Sequence, residues 1–100
     1  MSKTKKENDL QTKERVKRPQ RYKVVMSNDD FTPMEFVIGV LEHFFNRTPA
    51  QSTRIMLTIH HQGHGVAGVY SKEVAETKRD KTIQFARENG YPLMLHTEPE

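Results

Sequence analysis

The segment from residue 32 to residue 45 combines a helix-start signal with a long apolar stripe. Thr32 and Pro33 are followed by Glu35, which predicts a capping box and a first helix that begins at about Pro33. Apolar residues then recur three or four positions apart: Met34, Val37, Ile38, Leu41, Phe44 and Phe45. Because this spacing puts them on one side of a helix, the segment requires a second layer of structure to pack against.

Two further helices are indicated by the same kind of signal. The segment TPAQ, which starts at Thr48, repeats the capping pattern and predicts a second helix that ends at about His60. Ser71 is the expected cap of a third helix, which stops at Gly90 because glycine accepts the left-handed conformation found at helix ends.

Three short segments have the composition of strands, and they cover residues 21–26, 66–70 and 92–97. Together with the helices they give the order β-α-α-β-α-β. This order predicts an α+β fold, in which three helices pack on a small three-stranded, mostly antiparallel sheet.

The first 20 residues differ in composition from the rest of the chain. They hold seven Lys/Arg, three acidic residues and almost no apolar residues, so we expect a disordered basic tail at 1–20 and a core domain at 21–100. The core domain holds nine Lys/Arg and ten acidic residues, whereas nucleic-acid-binding modules carry a basic folded surface. Nucleic-acid binding through the tail is therefore the alternative function, and it predicts a steep salt dependence that deletion of residues 1–20 abolishes.

Several classes of protein are disfavoured by what the sequence lacks. It contains no cysteine, so it has no disulfides and no thiol nucleophile. It has no apolar run near the ~20 residues that span a bilayer and no secretory signal at Met1. Neither a nucleophile elbow nor a glycine-rich phosphate loop is present, so we expect neither an enzyme nor a cofactor.

A polar segment, Asn28 to Asp30, stands immediately before the first helix. Its oxygen atoms could join a metal site with the histidines at positions 60, 61 and 64, but glycines interrupt the spacing that such a site needs. They could instead accept hydrogen bonds from a bound cation. A third interpretation is that they satisfy backbone N–H groups of the turn, and the residues alone favour this one.

Three longer segments resemble the ClpS family of adaptor proteins: NDDFTPMEFV from Asn28, RIMLTIHHQG from Arg54 and GVYSKEVAETK from Gly68. The resemblance runs from about Tyr22 to Leu95. ClpS proteins serve the N-end rule and deliver substrates to the ClpA unfoldase of the ClpAP protease. The resemblance implies the element order derived above and a monomeric, non-enzymatic adaptor without metal, in the bacterial cytoplasm or in the plastid stroma.

The resemblance also implies a binding site for the first residue of a protein when that residue is Leu, Phe, Tyr or Trp. The residues expected around its α-amino group are Asn28, Asp29, Asp30 (the last through a water) and His60. Such an ammonium needs acceptors in place of lost water, and His60 offers a lone pair only when neutral, so acid should weaken binding. Asp29 is expected near the peptide backbone.

The side chain of the bound residue is expected in an apolar pocket. By the resemblance its residues are Thr32 at the rim and Met34, Val37, Met56, Ile59 and Leu93. The spacing alone would make the last five ordinary core residues. Met34 is the expected gate that excludes Ile and Val by steric clash.

The third segment corresponds to the surface that ClpS proteins present to the N-terminal domain of ClpA. The matching residues are Glu73 and Lys78, with Tyr70 as a nearby apolar contact, although the pattern alone would make them a solvated helix face. The tail is expected to engage the unfoldase during delivery. His61 and His64 are expected on the pocket rim, where they leave the preference for the second residue of the substrate open.

Overall fold

The computed structural model describes residues 18–100. Its elements are β1 (Arg21–Ser27), α1 (Met34–Phe45), α2 (Pro49–Gln62), β2 (His64–Ser71), α3 (Lys72–Glu88) and β3 (Met94–Pro99). The predicted order β-α-α-β-α-β is therefore confirmed. The predicted division into a disordered tail at 1–20 and a core domain stays a prediction, because residues 1–17 lie outside the described part. No helix within residues 18–100 is long and apolar enough to cross a membrane.

The sheet has β1 in its centre, with the strand order β2-β1-β3. Both pairings are antiparallel, where the sequence predicted a mostly antiparallel sheet. The register with β2 shifts between Val24 and Val25, which leaves Ala67 opposite no partner. The Arg47 Nε–H donates to the Ala67 carbonyl oxygen at 2.8 Å, so the irregular position still has a hydrogen bond.

The hydrophobic core lies between one face of the sheet and the three helices. Met26, Leu41 and Leu93 are among its largest fully buried side chains. Most of the predicted α1 stripe is buried or half-buried, but Met34 at its first turn is 46% exposed. The stripe thus reaches past the packed core at the N-terminal end of α1, where an apolar side chain faces an open space.

The predicted N-terminal caps of the second and third helices are confirmed. Thr48 Oγ1 accepts from the Gln51 backbone N–H at 3.1 Å, and Gln51 Oε1 accepts from the Thr48 N–H at 3.0 Å. Ser71 Oγ accepts from the backbone N–H of Val74. The second helix extends to Gln62, two residues beyond the predicted end, and Gly63 follows with a φ of 94°.

The predicted capping box at Thr32 is wrong. Pro33 occupies the N-cap position in an extended conformation, with ψ at 146°, and α1 begins one residue later than predicted. No side chain caps α1, and Oδ1 of Asp29 accepts at 2.8 Å from the backbone N–H of Thr32, the donor that the Glu35 side chain would bind in a capping box. The Thr32 hydroxyl is also turned toward Asp29, because it donates to Oδ2 at 2.8 Å.

Candidate functional site

A cavity of about 320 Å³ lies between the loop after β1 and the two helices α1 and α2. Its lining residues are of two kinds, and we call the polar ones the polar wall and the apolar ones the apolar wall. The lining residues are Asn28, Asp29, Asp30, Thr32, Pro33, Met34, Val37, Met56, Ile59 and His60. All the predicted substrate-binding residues except Leu93 line this one cavity.

The polar wall is assembled from two distant parts of the chain. Asn28 follows β1, and its backbone N–H donates to the Gly63 carbonyl oxygen at 2.9 Å. Gly63 adopts the left-handed conformation, which ends α2 and turns its last carbonyl groups toward the loop. The last turn of α2 carries His60 and is therefore fixed beside the residues that follow β1.

The apolar wall is formed by pairs of residues one helical turn apart. Met34 and Val37 lie on α1, and Met56 and Ile59 lie on α2. Val37, Met56 and Ile59 are buried and belong to the core cluster, whereas Met34 is partly exposed at the opening. The cavity is thus continuous with the hydrophobic core, and the partly exposed Met34 lies at its opening.

The carboxylate of Asp29 is directed into its own loop. Its Oδ1 accepts from the backbone N–H groups of Phe31 and Thr32, each at 2.8 Å. Its Oδ2 accepts from the Thr32 hydroxyl, also at 2.8 Å. For Asp29, the structure shows the turn-forming hydrogen bonds that the residues alone favoured, and its predicted contact with an α-amino group stays a prediction.

Three other polar residues of the cavity differ from Asp29 in their hydrogen bonding. Asn28, Asp30 and His60 are exposed, and within residues 18–100 none of these side chains forms a hydrogen bond. An amide oxygen, a carboxylate and an imidazole nitrogen are all capable of accepting hydrogen bonds. Together they can surround a group that carries several N–H donors and a positive charge.

Leu93, His61 and His64 are not among the residues that line the cavity, and their expected contacts with a substrate stay predictions. Leu93 is only 1% exposed, packs within the core cluster and does not line the cavity. Pro33 lines the cavity and was missed, although its place between two predicted pocket residues was a usable signal. His61 and His64 are exposed and outside the cavity wall, and no three His or acidic residues within residues 18–100 are grouped to hold a metal ion.

A second concavity, of about 500 Å³, lies between the C-terminal end of α1 and the first turns of α3. We call it the α3 groove, and it is lined by His43, Phe44, Glu73, Val74, Thr77, Lys78 and Lys81. Two of the three predicted partner-binding residues, Glu73 and Lys78, line it. The third, Tyr70, is half-buried beside it, and this burial raises the pKa of its hydroxyl while the nearby charge of Arg47 partly opposes the shift.

Lys78 also has a structural role in this groove. Its Nζ donates to the Phe44 carbonyl oxygen at 2.8 Å and lies 5.3 Å from the centre of the Tyr70 ring. A cation at the C-terminal end of α1 complements the carbonyl groups left without helical partners. The ammonium therefore joins α3 to α1 and also contributes charge to the groove.

Comparison with known proteins identifies close relatives over nearly the whole described part. The family model for the ATP-dependent Clp protease adaptor protein ClpS matches residues 17–96. The ATP-dependent Clp protease adapter protein ClpS of Rhodospirillum centenum is 50% identical over 91 residues, which are 91% of this chain and 84% of that protein. Its counterpart in Ruegeria pomeroyi is 53% identical over 91% of this chain and 80% of that protein.

The fold is similar to that of a solved ClpS structure. The structure of Agrobacterium tumefaciens ClpS2 bound to L-phenylalaninamide superposes on this chain with a TM-score of 0.80. The two sequences are 43% identical, and the match covers 83% of this chain and 100% of the Agrobacterium chain.

Proposed function

The chain belongs to the ClpS family of ATP-dependent Clp protease adaptors, and from this premise we propose that it captures proteins by their first residue. The first residue it accepts is Leu, Phe, Tyr or Trp. The captured protein is then delivered to a ClpA-type unfoldase of the ClpAP protease. The adaptor itself performs no chemical step in this role.

The observation that carries this proposal is that the 320 Å³ cavity has both a polar wall and an apolar wall. The first residue of a protein has the complementary division, because its α-ammonium and its side chain leave the same carbon atom. Asn28, Asp30 and His60 accept from the ammonium. Phenylalaninamide, bound in the related Agrobacterium protein, is a ligand with this same combination of groups.

The expected affinity follows from the two walls. Burial of a Leu or Phe side chain against Val37, Met56 and Ile59 contributes about 1.5 to 3 kcal/mol. Each hydrogen bond to the charged ammonium contributes about 1.5 to 3 kcal/mol before the entropy cost of binding. With two or three such bonds the gross total is about 4.5 to 12 kcal/mol, and after the entropy cost we expect a dissociation constant in roughly the micromolar range.

Met34 restricts which side chains enter. Its side chain stands partly exposed at the opening, above the buried apolar residues. A side chain branched at Cβ is widest next to the backbone, where it would meet the methionine. Ile and Val are thus excluded by a clash, although their hydrophobicity is similar to that of Leu.

Delivery requires that the substrate and the unfoldase bind at the same time. The α3 groove, with Glu73 and Lys78, is the proposed surface for the N-terminal domain of the unfoldase, and Tyr70 is proposed as a nearby apolar contact. Met34 and Phe44 border the cavity and the groove respectively, and they lie on α1 about 15 Å apart at 1.5 Å per residue. The two partners therefore use different ends of one helix.

The test is a panel of fluorescent peptides that differ only in the first residue, measured by anisotropy. Peptides that begin with Leu, Phe, Tyr or Trp should bind, and those that begin with Ala, Lys or Asp should not. Equal binding across the panel would contradict the proposal. Delivery is tested with reconstituted ClpAP and a reporter that begins with Phe, whose degradation should require this adaptor.

A further inference from the structure

Asp29 and Thr32 form one hydrogen-bonded unit at the edge of the cavity. Thr32 is half-buried and lines the cavity, and its hydroxyl is 2.8 Å from Oδ2 of Asp29. The other carboxylate oxygen of Asp29 holds the backbone N–H groups of Phe31 and Thr32. The side chain thus fixes both the path of the loop and the orientation of one hydroxyl.

This arrangement determines which role the Thr32 hydroxyl can play toward a ligand. An ionised carboxylate only accepts hydrogen bonds, so the hydroxyl must donate its single proton to Asp29. The lone pairs of Thr32 Oγ1 remain, and they can only accept. Thr32 is therefore a fixed acceptor at the cavity, whereas an unconstrained hydroxyl could serve as donor or acceptor.

We propose that Asp29 is a positioning residue, which turns Thr32 Oγ1 into an acceptor for the N–H of the first peptide bond of the bound chain. This inference rests on the proposed function. It follows from the order of donors on a substrate, because the second residue's N–H is the next donor along the chain after the α-ammonium. Along the chain Thr32 stands between Asp30 and Met34, and all three line the cavity, so we expect that peptide bond to pass beside Thr32.

The inference changes the role predicted for Asp29 from the sequence. In this proposal its carboxylate does not serve the α-ammonium, because the loop and Thr32 already take three of its roughly four acceptor positions. The ammonium contacts belong to Asn28, Asp30 and His60. Asp29 acts on the substrate only through Thr32.

An asparagine at position 29 separates this role from a direct charge contact. Its amide oxygen can still accept from the N–H groups of Phe31 and Thr32, so the loop is retained. Its NH₂ group, however, is a donor and would bond to a lone pair of Thr32 Oγ1. The hydroxyl proton of Thr32 would then point away from residue 29. The variant Asp29→Asn therefore keeps the loop and reverses the hydroxyl.

The experiment compares two peptides that both begin with Phe. One has an ordinary amide between its first and second residues, and the other has an ester there, which lacks the N–H. With the unmodified protein the amide peptide should bind about five- to tenfold more tightly, which is the value of roughly one neutral hydrogen bond. In Thr32→Val, which removes the hydroxyl but keeps the shape, this preference should fall to about one.

Two aspartate variants complete the test. Asp29→Asn should also lose the preference for the amide peptide, with a melting temperature close to that of the unmodified protein. Asp30→Asn is the matched control, because it should weaken both peptides equally and keep the preference. A purely structural role of Asp29 would lower the melting temperature and leave the amide-to-ester ratio unchanged.

Three results would overturn the inference. The first is equal binding of the amide and ester peptides by the unmodified protein. The second is a Thr32→Val variant that still prefers the amide peptide. The third is an Asp29→Asn variant that binds both peptides more weakly and still prefers the amide peptide. The last result would assign Asp29 to the ammonium directly. Failure of the proposed function has a different signature, since an N-acetylated amide peptide would then bind as well as the free one.

Discussion

The backbone N–H of Asn28 donates to the carbonyl oxygen of Gly63 at 2.9 Å, and this bond joins the loop after β1 to the end of α2. It places the side chain of Asn28 and the last turn of α2, with His60, on one wall of the cavity. Two of the proposed acceptors for a substrate's ammonium are thus held together by backbone geometry, independently of any contact between their own side chains.

His60 should be necessary for binding, whereas its neighbour His61 should not. Both are exposed, but only His60 lines the cavity. His60→Ala removes one hydrogen bond to the ammonium, so the affinity for a Phe peptide should fall about tenfold to hundredfold by anisotropy. His61→Ala should leave it unchanged, and an equal loss in both variants would contradict the assignment.

Substitution of Met34 should broaden the choice of first residue. Met34→Ala enlarges the opening of the cavity, so peptides that begin with Ile or Val should bind measurably, while those that begin with Phe still bind. Met94→Ala is the matched control, because Met94 is also about half exposed and lies outside the cavity wall. If Met34→Ala still rejects Ile and Val, another residue must restrict the entrance.

Two glycine substitutions should change stability in opposite directions. A Cβ at Gly68 would collide with the ring of Tyr70, so Gly68→Ala should lower the free energy of unfolding by about 1 to 3 kcal/mol. Gly39 is an exposed position inside α1 with open space around it, so Gly39→Ala should raise that free energy by about 0.5 to 1 kcal/mol. Urea denaturation measures both, and a Gly68→Ala variant as stable as the unmodified protein would show that the ring can move without cost.

Lys78 should contribute to the fold as well as to unfoldase binding. Lys78→Ala removes the hydrogen bond to the Phe44 carbonyl and the contact with the Tyr70 ring, and the free energy of unfolding should fall by about 1 to 2 kcal/mol. Lys81 lines the same groove and is exposed, so Lys81→Ala should change stability by less than about 0.5 kcal/mol. Identical unfolding curves for the two variants would make Lys78 a surface contact only.

The helices and strands could be predicted from the sequence because their signals are local. Thr48 and Gln51 satisfy each other's hydrogen bonds within one turn, and no other group interferes. The equivalent prediction at Thr32 was wrong, because the carboxylate of Asp29, three residues away, accepts from the Thr32 N–H that Glu35 would have bonded. A capping pattern is reliable only where no stronger acceptor lies within reach.

The site was less accessible to prediction from the residues alone. Its two walls meet through the contact between Asn28 and Gly63, which no local pattern contains, and only the resemblance to ClpS proteins joined Asn28 to His60. Spacing could not separate cavity residues from core residues either. Val37 and Leu93 are both buried and apolar, but the first lines the cavity and the second does not.

The central claim is that the polar wall of the cavity binds a free α-ammonium. It is tested most directly by the anisotropy of a fluorescent peptide that begins with Phe, compared with the same peptide acetylated at its N-terminus. Acetylation keeps the side chain but removes the positive charge and two of the ammonium's three donors, which Asn28, Asp30 and His60 would accept from. We predict micromolar binding of the free peptide and loss of at least about a hundredfold on acetylation. Equal affinity for the two peptides would contradict the account.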